Sequence, residues 1–247
     1  LTKEWDIPFI SCCQSNIITS AAERGHYTFH ESITPYMNAQ LVGKWGVHAL
    51  GKRWYHIGPD YQWVHETYVS YQEVLARFGG EAVGSSYVPL KAKEADYERC
   101  VEDVYNAKPD VLVVTSFGTD QANLVRVANK TGLKKELTII LGISDLSIIN
   151  EVGLDLFVGM YWCSNFYWGI EAINENARRF VASFRELFPE DRPSAYAAYT
   201  YSAILELLAA TVAGKVYPVN YDNMLKFLEG RPYAHYKGKQ WWRPCDH

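Results

Sequence analysis

The stretch from Arg53 to Leu141 admits few architectures, because short apolar runs alternate along it with amphipathic helical patterns. The strand Arg53-Trp-Tyr-His-Ile57 runs into Gly58-Pro59-Asp60-Tyr61. A helix follows, with Val64, Tyr68, Tyr71, Leu75 and Phe78 at steps of four and three, which is one face of an α-helix. Gly79-Gly80 stops it. A second strand over about 82–88 leads to Asp96, read as a helix N-cap, and Tyr97, Val101, Val104 and Tyr105 repeat at helical spacing. Val111–Thr115 is a fully apolar strand of the buried parallel type. A third helix over about 120–130 turns Leu124, Val125 and Ala128 inward and stops at Gly132, and the strand Leu137–Leu141 closes the set. Alternation of this kind predicts an α/β fold with a parallel sheet covered on both faces. Ligands of such sheets sit beyond the carboxyl ends of the strands, which directs attention to Gly58–His65, Ser116–Asp120 and Gly142–Asp145.

The chain has 247 residues, enough for one large or two small domains. Apolar residues at 48% and charged residues at 21% indicate a folded globular chain. Aromatic residues reach 15%, which suits either an aromatic-rich core or apolar enclosure of a ligand. A net charge of −4 without a basic cluster argues against nucleic acid. No apolar run reaches membrane-spanning length. The five cysteines, Cys12, Cys13, Cys100, Cys163 and Cys245, show no zinc spacing. Cys100 falls on the inner helix face as a small buried residue, and Cys12-Cys13 is either a vicinal disulfide or two unrelated thiols. No metal ligand set and no cofactor motif is found.

The flanks extend the pattern. Ile7–Ser11 reads as a strand ending at Cys12-Cys13-Gln14-Ser15-Asn16, a loop that either contacts ligand or caps the next helix. His26–His30 reads as a short strand whose two histidines lie about 13 Å apart, too far to share a metal. A helix is expected over about 36–50. After the central units, Ser144-Asp145 opens a short helix through Val152, and Gly159–Trp162 reads as a strand. Glu171–Phe188 reads as one amphipathic helix with Ile173, Ala177, Phe180, Phe184 and Leu187 inward. Ala195–Ala213 is apolar nearly all round, so deep burial is expected, with Gly214 as its stop. A further helix covers about 220–228, and Trp241-Trp242 forms a possible strand in the tail.

Several local signatures resemble the type I periplasmic solute-binding proteins of ABC importers, in the branched-chain amino-acid-binding (Leu/Ile/Val-binding-like) group. Asp6-Ile-Pro-Phe-Ile-Ser11 is similar to the strand before a ligand loop in that family. Gly58-Pro-Asp-Tyr-Gln-Trp63 resembles its D-Y-x-aromatic turn. Ala95-Asp96-Tyr97 with Ala107-Lys-Pro-Asp110, Gly159-Met160, and Tyr199-Thr200-Tyr201-Ser202-Ala203 resemble further motifs in the same order. The resemblance implies a two-lobed flytrap with parallel sheets flanked by helices. By that template lobe one comprises 1–52 and 164–230, and lobe two 53–163 and 231–247. Members of the family begin with further βα units ahead of the position of Leu1, so lobe one is expected to be incomplete and the chain to be part of a longer protein.

The resemblance also implies which residues meet a ligand. A carboxylate would be held at Gln14, Ser15 and Asn16, with Ser15 foremost. Trp63, next to Tyr61, falls where the family places an aromatic residue over the ligand, and Phe117 where it has a second contact. Each could instead pack in the core. The acidic partner of an α-ammonium aligns with Ser144, one place before Asp145, and Asp145 could equally be a helix N-cap. Without an acidic partner an ammonium is costly to bury, and an amine-free aromatic or short acid would fit better. Tyr161, Trp162 and Phe166 would wall the site near the hinge. His65 and Asp120 read as a surface or supporting residue and a helix-start residue.

The implied function is an extracytoplasmic, periplasmic receptor that delivers a small carboxylate-bearing solute, an amino acid or an aromatic or short organic acid, to the permease of an ABC importer. An amide sensor or receptor ligand-binding domain of the same fold is the alternative. An enzyme is not expected, since GxSxG, HExxH, Walker A and GxGxxG are all missing. A thiol enzyme using Cys12 or Cys13 is the remote third reading.

Overall fold

The fold described here is that of a computed structural model, which covers residues 2–20, 25–213 and 220–247; Leu1 and Gly214 lie outside the described residues. The chain divides into two compact units, residues 1–33 with 164–247 and residues 34–163.

In the first unit, β1 (Phe9–Ser11) pairs in parallel with β2 (Thr28–His30). Both strands are shorter than the sequence reading, which began them at Ile7 and His26. Ile10 and Phe29 are buried in one cluster with Ala203, Ala210, Met224, Leu225 and Leu228. The latter five come from the helices Ala195–Ala213 and Tyr221–Leu228. Asn220 caps the second of these, its side chain accepting from Asn223 N at 3.0 Å.

Two expectations for this unit are corrected. The segment 171–188 is not one helix. A 3₁₀ turn, Trp168–Ala172, gives way to a helix, Glu175–Leu187, that starts at Asn174, whose side chain accepts from Ala177 N. Ile173 falls in the break and is exposed, as is Leu187 in the last turn, while Ala177 and Phe180 are buried. The helix Ala195–Ala213 is two-faced. Its packed side holds Ala198, Tyr199, Ser202, Ala203, Glu206 and Ala210. These are mostly small residues that let neighbouring chain approach closely, whereas Ile204, Leu208 and Val212 face outward.

In the second unit the sheet order is β4-β3-β5-β6, all parallel. The strands are β3 (Arg53–Pro59), β4 (Glu81–Val88), β5 (Val111–Val114) and β6 (Thr138–Leu141). The helix Gln62–Phe78 ends at Gly79 in the left-handed conformation, as the glycine pair predicts. The helix Glu94–Ala107 starts two residues before Asp96. Asp96 is therefore not the N-cap but sits in the first turn, where its carboxylate accepts from Lys93 N at 2.8 Å. The helix Thr119–Lys130 stops at Thr131, and Gly132 instead opens a short helix, Leu133–Glu136. The expected strand at 159–162 is reduced to one parallel bridge, Ile140 to Tyr161, beside β6.

The alternation of side chains along the strands builds two cores. Tyr55, Ile57, Leu112, Val114, Ile139 and Leu141 face one way, onto Tyr97, Val104, Leu124, Val125 and Ala128. Trp54, Val111, Val113 and Ile140 face the other, onto Ala39, Val42, Val47, Tyr71, Val74 and Leu75.

This second core corrects the template's division of the chain. Residues 34–52 pack with the second unit, because Ala39, Val42 and Val47 complete the face around Trp54. The tail 231–247 packs with the first unit, because Tyr233 and Trp242 join the cluster around Phe29 and Tyr236 the cluster around Phe180.

Gly51 allows β3 to start beside Pro109-Asp110. Its φ is +135°, and a Cβ there would lie 2.3 Å from the Cβ of Asp110. Asp110 in turn accepts from Lys52 N and Arg53 N at 2.7 and 2.9 Å. Gly51→Ala is expected to cost about 1–3 kcal/mol from backbone conformation alone, plus the collision. Gly79→Ala, where φ is +79° and a Cβ meets nothing within 4 Å, carries only the conformational cost. Urea unfolding of both variants checks this, and equal midpoints would contradict it.

Candidate functional site

The parallel ladder of the second unit ends together at one edge, and polar side chains gather there. Gly58 lies at the end of β3, and a Cβ on it would stand 2.3 Å from the carbonyl oxygen of Thr115. Only glycine lets these two chains approach so closely. Beneath the loops, His56 is buried, and its Nε2 shares a 2.8 Å hydrogen bond with Thr115 Oγ1. Tyr68 and Tyr87 pack against its ring at centroid distances of 5.3 and 6.4 Å. Burial holds the His56 pKa down to about 3, so the ring is neutral.

Gln121, fully buried in the first turn of its helix, ties two loops together. Its Nε2 donates to Ser116 O at 2.8 Å and to Ile143 O at 2.6 Å, and its Oε1 accepts from Ser144 Oγ at 2.9 Å. From the other side Asn38 Nδ2 donates to Gly142 O at 2.6 Å, and Asn38 Oδ1 accepts from Tyr71 OH at 2.8 Å.

The residues singled out from sequence fall as follows. Asp145 is the N-cap of the helix Leu146–Val152, its Oδ1 accepting from Ser147 N at 3.0 Å and Ser147 Oγ at 2.8 Å. Its Oδ2 is buried and has no partner among the described residues. The cap reading of Asp145 is thus met through Oδ1. Ser144 is turned inward to Gln121, which takes up its hydroxyl proton. Tyr61 precedes the helix Gln62–Phe78, and its ring lies 5.9 Å from that of Trp63. Burial first, then Asp120, pushes the Tyr61 phenol up to about 12, which leaves it a neutral hydroxyl. Phe117 is 40% exposed, too open for a core residue. Tyr161 is drawn to the sheet side, with its ring 5.4 Å from Trp45, and Trp162 follows it on the same edge segment; both are more than a third exposed. Gln14, Ser15 and Asn16 belong to the first unit. There Ser15 Oγ accepts from Ile17 N at 3.2 Å, a local turn bond ahead of the 3₁₀ turn Ile17–Thr19, whose N-cap Asn16 makes no side-chain capping bond.

Sequence reasoning singled out the loop 116–120 without naming Ser116 as a contact, and it missed Gln121, Asn38 and His56. Ser116 is fully buried and its hydroxyl has no partner among the described residues. A faint signal existed, since His56 and Gln121 are isolated polar residues on faces that are otherwise apolar.

Among the described residues no group of three or more His, Cys, Asp or Glu is disposed to hold a metal ion. Cys12 and Cys13 are both free thiols. Burial, reinforced by Glu31 and Cys13, pushes the Cys12 thiol up to about 11, which makes it a poor nucleophile at neutral pH. His30 reaches the Cys13 backbone carbonyl through Nε2 at 2.9 Å, and burial lowers its pKa.

A sequence-family model described as periplasmic binding protein matches residues 1–247. The chain belongs to that family. Its fold is the type I form, and solved structures of it superpose closely. A periplasmic binding protein from Burkholderia mallei gives a TM-score of 0.88 at 20% identity, covering 99% of this chain and 63% of its own. A solute-binding protein of an ABC transporter from Rhodopseudomonas palustris, in complex with 3,4-dihydroxybenzoic acid, gives 0.80 at 21%, covering 99% and 66%. A leucine-, isoleucine-, valine-, threonine- and alanine-binding protein from Brucella ovis gives 0.81 at 17%, covering 97% and 61%. This periplasmic binding protein chain therefore spans less than two thirds of the length of these relatives. Among its described residues no helix is long and apolar enough to cross a membrane.

The buried His56 predicts an acid sensitivity. Between its ordinary value of 6.5 and its folded value of about 3, the unfolded chain takes up a proton that the folded chain refuses. Stability is therefore full above 6.5 and falls as the pH drops through that window, by at most about 1.4 kcal/mol per pH unit from this group. His56→Gln is expected to show a shallower loss than the parent between pH 6.5 and 4.5, measured by urea unfolding; parallel curves would contradict it.

Proposed function

We propose that this chain forms part of an extracytoplasmic receptor that binds a small carboxylate-bearing solute for delivery to the permease of an ABC importer. The observation that supports this reading is the pair of unmatched oxygens on adjoining loops, Ser116 Oγ and Asp145 Oδ2, both in residues at least nine-tenths buried. Leaving such groups without partners costs free energy. A ligand supplies what is missing. The Ser116 hydroxyl can donate to a ligand carboxylate. Asp145 Oδ2 calls for a donor, either an ammonium or a hydroxyl, and a charge-assisted hydrogen bond to it is stronger than a neutral one. Phe117, next to Ser116 in the chain, and the half-buried Trp63, in the first turn of the helix after β3, offer apolar surface.

The solute is thus a small acid that also carries a donor group. An aliphatic amino acid and a hydroxylated aromatic acid both meet the requirement; the similar Brucella ovis protein is named for binding the first kind, and the Rhodopseudomonas palustris one is in complex with the second. An acid with no donor, such as benzoate, leaves Asp145 Oδ2 unmatched and binds more weakly. Of the amine and hydroxyl alternatives, Asp145 favours the amine, because an ammonium neutralises the buried carboxylate.

A thermal-shift screen with leucine, 3,4-dihydroxybenzoate and benzoate tests this, since a ligand bound only to the native state raises the melting temperature. The expected result is a rise with leucine or the dihydroxy acid, a smaller one with benzoate, and loss of the difference in Asp145→Asn. Asp145→Asn keeps the cap and is expected to weaken donor-bearing ligands about tenfold or more, from the roughly 1.5–3 kcal/mol of a hydrogen bond to a charged group. Equal shifts with all three ligands, unchanged in the variant, would contradict the assignment.

A further inference from the structure

The ligand loops of the second unit leave the ladder after Val114 and Leu141, and the last backbone rung between them is Gly142 N to Val114 O at 2.7 Å. From there on, side chains hold three successive residues. Gly142 O accepts from Asn38, Ile143 O accepts from Gln121, and Ser144 Oγ donates to Gln121. Gln121 also holds Ser116 O. Asn38 and Gln121 are 1% and 0% exposed, so neither can exchange these bonds for water.

We propose that Gln121 and Asn38 are the positioning residues of the ligand site, a two-amide bracket that fixes where Ser116 and Asp145 present their oxygens. The bracket rests on the reading of those oxygens as ligand contacts. Gln121 sets the separation of the two loops, because one nitrogen bonds a carbonyl in each. Asn38 sets the height of the second loop over the sheet, and Tyr71 OH in turn fixes the orientation of the Asn38 amide. Neither amide has a polar atom left over for a ligand in this arrangement: the Gln121 Nε2 hydrogens both go to loop carbonyls, and both Asn38 polar atoms are engaged. Their effect on binding is therefore indirect and geometric. Asn38 lies at the entrance of a π-helical turn, Ala39–Gly43, so the helix bearing it departs from regular geometry at the point of contact.

The test uses the whole chain and two variants. Gln121→Met keeps the length and removes every bond. Gln121→Glu keeps the acceptor for Ser144 and, protonated in this buried setting, one of the donors. Amide hydrogen exchange is measured at Gly142 and at Ser147–Ile149, relative to Leu112–Val114 in the core, together with the affinity for leucine and for 3,4-dihydroxybenzoate. The expected result is loop exchange at least tenfold faster relative to the core in Gln121→Met, an intermediate rate in Gln121→Glu, and the same order in the loss of affinity for whichever probe binds. Loop exchange that follows the core in both variants would overturn the bracket, as would unchanged affinity in Gln121→Met. A parent chain that binds neither probe counts against the ligand reading; the bracket is then decided by the exchange rates alone. If Gln121→Met does not fold, Gln121→Glu carries the test.

Discussion

A parallel sheet stops its ladder at one edge, and every backbone group beyond that edge must find another partner. This constraint shapes the second unit. Asp60 N, Thr115 N and Gly142 N make the last rungs, to Val88 O, Ile57 O and Val114 O. Past them the chain is still buried, so the carbonyls of Ser116, Gly142 and Ile143 need donors that the ladder no longer supplies. Two amide side chains provide them, and His56 and Thr115 form a further polar contact directly under the loops. The cores on either face of the sheet are apolar and complete, so the loops rest on a rigid floor. Among the described residues of this unit, Ser116 Oγ, Asp145 Oδ2, Gln40 Nε2 and the His56 ring Nδ1 stay buried without a partner, and the first two lie on the loops beyond the sheet edge.

The first unit solves a similar problem with charge. Glu31 is 3% exposed and lies just past β2. Its carboxylate accepts from Tyr233 OH at 2.6 Å, Tyr236 OH at 2.9 Å and Gln240 Nε2 at 2.9 Å, with Lys237 Nζ at 3.3 Å. Glu206, on the inner side of its helix, pairs with Arg231 and His235. His247 stacks on Phe29 at 4.2 Å and meets Glu229 at 2.8 Å. Two buried carboxylates therefore hold the tail in place, and removing one partner would strand a charge, the costly way to break such a pair.

Much of this was legible in the sequence, and the exceptions have a common cause. The strands and helices from Arg53 to Leu141 were readable because their periods are clean and Gly79-Gly80 punctuates them. Asp145 was readable as a cap because an Asp before an apolar helix commonly takes that role. The tail was not, since its attachments to Glu31 run across more than 200 residues and leave no periodic trace. The segment 34–52 went to the wrong unit because a family template assigned it, whereas burial of Ala39, Val42 and Val47 against Trp54 decides its place. Gln121 and Asn38 escaped notice, and Ser116 was not picked out within the loop 116–120, because a single polar residue in an apolar run carries no local signature. Their roles emerge only when the topology brings residues 38, 121 and 142 together.

The central claim is that Ser116 Oγ and Asp145 Oδ2 are completed by a ligand. The most direct measurement is a high-resolution crystal structure of the protein with the small acid that stabilises it most. The account predicts a ligand carboxylate within hydrogen-bond distance of Ser116 Oγ and a ligand ammonium or hydroxyl on Asp145 Oδ2. Ordered waters on both oxygens, with the ligand bound elsewhere, would contradict it.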